Sequence, residues 1–211
     1  MKKTMFECWE ADRIKLFMCH TARHKTKVNE IAFHLKYYGV SAFVAHDSIE
    51  PTRQWQDVIE YALRTTDVLA ALLTPDFSSS AWTNQEIGVV VGRRKLVIPI
   101  KLGLDPYGFI GKYQALQGKR LSEEETAKKI FDILVKHEET QKSMAEALVA
   151  QFENSGTFKN AKDNMDLLEK ARSLDDALIR RLRTAAKRNS QITGAWGVPE
   201  RLNQLISRFT E

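Results

Sequence analysis

The sequence predicts an α/β fold on a parallel sheet, followed by an all-helical region, and three observations carry that prediction. Four short apolar runs recur, nearly continuous rather than alternating, as strands buried on both faces of a parallel sheet must be. Each run is followed by residues at helical spacing, and alternating strand and helix implies right-handed crossovers. Beyond Thr140 only helical periodicity remains. The expected division is one α/β domain over 1–140 and a helical domain over 141–211.

The elements follow in order. Lys15-Leu-Phe-Met-Cys19 is the first strand, and Val28, Ile31, Leu35 and Tyr38 share a face of the helix behind it. Gly39 stands just past that helix as a natural C-cap. Val40-Ser-Ala-Phe-Val-Ala45 is the second strand, followed by a helix marked by Trp55, Val58, Ile59 and Ala62. Val68-Leu-Ala-Ala-Leu-Leu73 is the third. Ser78-Ser79-Ser80 then supplies hydroxyls suited to capping the free N–H groups of a helix opened by Trp82-Thr-Asn-Gln-Glu86. Leu96-Val-Ile-Pro-Ile100 is the fourth run, and Pro99 inside it predicts a sheet edge or a strand end. Asp105-Pro-Tyr-Gly-Phe-Ile-Gly111 reads as an irregular loop. Glu123 to Glu139 returns to helix, with Ala127, Ile130, Phe131 and Leu134 on one face, and closes the first domain. Met144–Phe152, Phe158–Ala171, Asp175–Arg188 and Pro199–Phe209 read as four more helices, with Asp175 as a cap and Pro199 in a first turn.

The bulk numbers exclude several classes. With 211 residues, 43% apolar and 28% charged, the chain has the composition of an ordinary globular protein with a sizeable core. Its net charge of +5 is spread evenly, with 20 basic and 18 acidic residues through Thr140 and 12 and 9 beyond it. That excess is too mild to make nucleic acid the expected partner. Cys8 and Cys19, the only cysteines, support neither a disulfide framework nor a metal site. No apolar stretch approaches the ~18 residues of a membrane span. Met1 to Asp12 contains no apolar signal region, so the expected location is the cytoplasm.

In open α/β sheets, ligands bind beyond the carboxyl ends of the strands. Those ends carry His20-Thr21-Ala22-Arg23, His46-Asp47-Ser48 and Thr74-Pro75-Asp76. Close behind comes the pair Trp82 and Glu86, four apart and so on one helix face, a flat aromatic beside a carboxylate. Such a pair suits a sugar diol or a cationic ring; alone, it reads first as a core tryptophan and a glutamate complementing the helix dipole. Arg180, Arg181, Arg183, Lys187 and Arg188 form a basic cluster on a later helix, read as a solvated face or as a patch for phosphate or a partner.

These strand ends spell a pattern. Phe17-Met-Cys-His20-Thr21 resembles the first box of Toll/interleukin-1 receptor (TIR) domains, usually Phe-Ile-Ser-His-Ser. Phe43-Val-Ala-His-Asp47 with Ile49-Glu-Pro51 and Trp55 resembles their second strand and BB loop. Ser80-Ala-Trp82-Thr-Asn-Gln-Glu86 resembles the Ser-x-Trp-x-x-x-Glu helix of TIR domains that cleave NAD⁺. The likeness covers roughly residues 13–135, and with Asp105-Pro-Tyr-Gly-Phe it resembles bacterial stand-alone TIR proteins rather than animal receptor adaptors. The chain departs from the family's pattern at Cys19, where a serine is common, at His24, where an acid is common, and at Pro51-Thr52-Arg53, where Pro-Gly is common.

The resemblance implies a flavodoxin-like parallel sheet with helices on both faces. It implies cleavage of the nicotinamide–ribose bond of NAD⁺, the substrate rather than a cofactor, giving ADP-ribose or a cyclic isomer in antiphage defence. Glu86 would be catalytic. Trp82, Thr21, Ala22, Arg23, Phe43, His46, Asp47 and Asn84 would bind substrate. The implied partners are other copies of the chain, through their TIR domains, and a phage-derived trigger or a partner defence protein. The competing readings are a non-enzymatic TIR scaffold and, behind it, nucleic-acid binding through the Arg180–Arg188 helix.

Overall fold

The computed structural model describes residues 8–45 and 53–210, with the side chains of 53–55 excepted. Two compact units divide it, one holding Lys15–Phe131 and the other Asp132 onward together with Asp12–Ile14.

The first unit is a five-stranded parallel sheet in the order β2-β1-β3-β4-β5, with β1 Ile14–Cys19, β2 Val40–Val44, β3 Val68–Leu73, β4 Leu96–Lys101 and β5 Leu116–Gln117. Helices α1 (Lys25–Tyr37), α2 (Arg53–Thr65), α3 (Ala81–Gly92) and α4 (Glu123–Leu134) connect or follow the strands. The apolar runs are continuous because β3 is buried along all six residues, paired to β1 on one side and β4 on the other. Alternate residues feed opposite faces of the sheet. Phe17, Cys19, Leu69, Ala71, Leu73 and Val97 point toward Ile59, Ala62 and Leu63 of α2 and Ile87 and Val90 of α3. Lys27 of α1 pairs with Glu123 of α4 at 2.6 Å, and Tyr38, just past α1, stacks on Phe131 of α4 at 4.8 Å.

Local chemistry sets the boundaries. Gly39 follows α1 with φ 75, a left-handed conformation that suits glycine. Ser80 caps α3, its hydroxyl accepting from Thr83 N at 3.4 Å. Ser122 and Glu125 form a reciprocal capping box at the start of α4. That helix ends at Leu134, short of the Glu139 suggested by periodicity, because the Thr140 hydroxyl donates to the Leu134 carbonyl at 2.7 Å and turns the chain. Pro99 sits inside β4 opposite Ala71, and among the described residues β5 pairs only with Ile100 and Lys101. The outer side of β4 at Pro99 is therefore an edge, where a missing N–H costs no ladder bond.

In the second unit, α5 (Gln141–Glu153), α6 (Phe158–Leu168), α7 (Asp176–Arg188), α8 (Ser190–Thr193) and α9 (Val198–Ser207) bury Met144, Leu148, Phe152, Met165, Leu168, Leu182 and Leu202. Asp175 caps α7 by accepting from Leu178 N at 3.0 Å, and Pro199 lies in the first turn of α9. Arg201 binds Glu169 at 2.8 and 2.6 Å and Asp166 at 2.6 Å. The Arg201 hydrogen bond holds the Glu169 carboxyl below its ordinary range.

Two stability outcomes follow. Leu69→Ala, at a fully buried position in β3, should cost about 2–5 kcal/mol in chemical denaturation; a loss well under 1 kcal/mol would mean β3 is not the centre of that core. Because the Glu169 pKa is depressed in the folded state, its contribution is present above the unfolded value of about 4.3 and is lost as pH falls through the lower folded value. Arg201→Met should therefore be less stable than the parent at neutral pH, with the gap narrowing below about pH 4. A gap independent of pH would contradict the ion-pair account.

Candidate active site

The strand order reverses between β1 and β3, and the crevice beyond their carboxyl ends is where this topology exposes a binding site. The loops there are tied by a carboxylate. Asp76 accepts from the Thr74 hydroxyl at 2.7 Å and from the Thr21 hydroxyl at 3.0 Å, with His24 Nε2 at 3.8 Å. These partners, Thr74 first, hold the Asp76 carboxyl below its ordinary range. Ala22 and Arg23 lie exposed in the short turn after Thr21.

Glu86 stands on α3, only 6% exposed. Beneath it lies Cys19, the last residue of β1, fully buried. Its sulfur is 3.7 Å from the Thr83 carbonyl and within hydrogen-bonding reach of Glu86. Burial, followed by the charge of Glu86, pushes the Cys19 thiol well up, so it stays protonated and donates. On its other side Glu86 lines a groove of about 350 Å³ between α2 and α3, in the lower range for small-molecule sites. Trp82 forms one wall at 45% exposure, and Gln56, Glu60 and Arg64 of α2 form the opposite one. Glu60 and Arg64 are paired at 3.1 Å.

Of the residues singled out in the sequence, Trp82 and Glu86 share this groove. Phe43 packs against Phe17 at 5.3 Å on the same side of the sheet as Cys19. Thr21 is engaged by Asp76, in the neighbouring crevice. Asn84 is two residues from Glu86 and so lies about 200° around the helix, away from the groove. Its amide bonds the Ser78 and Ser80 carbonyls and accepts from the Tyr107 hydroxyl at 2.7 Å. His46 and Asp47 lie outside the described residues.

Two participants were not singled out from the sequence. In the sequence Cys19 reads as a strand end, one of two cysteines and a departure in the first box, and Tyr107 as part of a loop. Tyr107 packs against the core holding Cys19, and burial raises its phenol pKa, with a smaller contribution from Cys19. Among the described residues, no cluster of three or more His, Cys, Asp or Glu could hold a metal, and no helix is long and apolar enough to cross a membrane.

Comparison with known proteins bears on this arrangement. Residues 16–132 match the family described as TIR domain. The chain is also similar to the crystal structure of the TIR domain of a Toll-related receptor from the lower metazoan Hydra magnipapillata. That likeness has 17% identity and a TM-score of 0.41, over 49% of this chain and 82% of that one. No protein of curated function matches the chain. The family match spans more than half of the 211 residues, and the protein therefore belongs to the TIR domain family.

Proposed function

We propose that the protein cleaves the nicotinamide–ribose bond of NAD⁺, with Glu86 as the catalytic carboxylate. The observation that carries this reading is the burial of Glu86, at 6% exposure, beside the Cys19 thiol and at the wall of a groove shared with Trp82. TIR families include NAD⁺-cleaving members as well as non-enzymatic scaffolds, and a scaffold needs neither residue of this pair.

The chemistry asks for one carboxylate. When the C1′–N bond breaks, its electron pair goes to nicotinamide, which leaves neutral from a cationic ring and needs no general acid. The positive charge left on the ribose resembles the oxocarbenium ion of glycoside hydrolysis. A fixed anion in a water-poor site stabilises that charge without reorganising. Glu86 supplies it, and its oxygens also suit the ribose hydroxyls. Trp82, half exposed, offers a face for the nicotinamide ring, with cation–π attraction while the ring is charged. Water attacking C1′ and losing a proton yields ADP-ribose. An internal nucleophile yields a cyclic isomer.

The Asp105-Pro-Tyr-Gly-Phe loop supports a bacterial origin and, with it, a cytoplasmic role in antiphage defence. Such an enzyme would harm its host if always active. TIR domains commonly self-associate, and we assign gating to self-association, set by a phage-derived trigger or partner defence protein, with the helices after residue 140 governing assembly.

Glu86→Gln keeps the shape of the side chain and should lower kcat by at least about 100-fold with the fold retained. Unchanged turnover would remove Glu86 from the mechanism. Trp82→Ala should raise KM about fivefold, the equivalent of about 1 kcal/mol of stacking, with a smaller change in kcat; steady-state kinetics with KM and kcat both unaltered would rule out stacking.

A further inference from the structure

The helical unit carries a concentration of positive charge on one helix, which its own carboxylates answer only in part: Glu153 at Arg181 and the charge of Asp175 near Arg180. Helix α7 buries Leu178, Ile179, Leu182 and Ala185, which leaves Arg180, Arg181, Arg183, Lys187 and Arg188 exposed. Three other cations of the unit are paired with acids: Arg201 with Asp166 and Glu169, Lys159 with Asp163, and Lys142 with Asp175. On α7, Arg181 alone among the described residues is hydrogen-bonded to a carboxylate, that of Glu153, at 3.1 and 2.7 Å.

The cluster is also shaped. Arg180, Thr184 and Arg188 repeat every four residues and form one stripe, with its ends about 12 Å apart along the helix. They border a groove of about 640 Å³ whose other wall is the Arg181–Glu153 pair and Asn189. That wall is fixed. The Asn189 amide donates to the Glu153 and Ser155 carbonyls at 3.0 Å each, and its oxygen accepts from Gln191 N at 2.9 Å. Small side chains, Ala177 and Ala185, keep the groove open. Guanidinium groups suit phosphate oxygens through paired N–H donors.

We propose that this groove of the helical unit binds a small polyphosphorylated ligand of the nucleoside di- or triphosphate class. A single phosphate would meet only one end of the stripe, whereas a chain of phosphates spreads its charge along it. The volume suits a small molecule. A polynucleotide would need a broader basic surface than a chain of net charge +5 provides. The inference does not rest on the enzyme reading, since every residue it uses lies in the helical unit.

Calorimetric titration of the full chain with ATP, with inorganic pyrophosphate and with a single-stranded oligonucleotide tests it, beside the Arg180→Gln/Arg188→Gln double variant. Both side chains are exposed, so the variant should keep the parent circular dichroism. ATP should bind the parent, more weakly as salt rises, and at least about tenfold more weakly to the double variant. Arg180→Lys/Arg188→Lys should recover part of the loss. No binding of ATP or pyrophosphate, or equal ATP affinity in parent and Gln variant, would overturn the proposal. Oligonucleotide binding tighter than that of ATP and lost in the same variant would replace it with nucleic-acid recognition.

Discussion

A carboxylate only 6% exposed has lost most of its hydration, and the groups around it must replace what water supplied. At Glu86 one of those groups is the thiol of Cys19, fixed at the end of β1 by the sheet and pushed toward its protonated, donating form by burial. The rest of the site depends on this meeting of a strand end and a helix. With the buried Thr83, Ile87 and Val90, Glu86 belongs to the core-facing side of α3, whose rotation has Trp82 and Glu86 facing α2 while Asn84 faces the loop carrying Tyr107. A turn of α3 by one residue would move the carboxylate about 100° out of the groove.

Several smaller devices hold that geometry. Ser80 and Thr83 fix the first turn of α3, with the Thr83 hydroxyl donating to the Phe77 and Ser80 carbonyls. Asp76 ties the loops after β1 and β3 through Thr21 and Thr74. Arg93, just past α3, donates to the Leu63 and Thr66 carbonyls at the end of α2 and so spans the two helices that form the groove. Polar groups at the rim are thus occupied in fixing loops, and the proposed reactive role falls to a side chain that is buried rather than exposed.

Much of this was legible in the sequence, for physical reasons. A parallel sheet with both faces covered forces continuous apolar runs, and all four became strands. Helical periodicity put Trp82 and Glu86 on one face, and Ser80 and Gly39 marked helix ends through hydroxyl capping and left-handed freedom. What stayed hidden was tertiary. Cys19 and Glu86 are far apart in the chain, and nothing local to either residue announces their contact. The two-residue β5 and four-residue α8 are too short to show a period. Asn84 sits within the same motif as Glu86, yet its direction follows from helix rotation rather than from membership of the motif.

The account of Glu86 as a buried anion opposing a developing cation is tested most directly by incubating concentrated protein with NAD⁺ and separating the products by chromatography with mass detection. The account predicts free nicotinamide together with ADP-ribose or its cyclic isomer, in equal amounts. Intact NAD⁺ after incubation of self-associated, trigger-supplied protein would contradict it and leave a TIR scaffold.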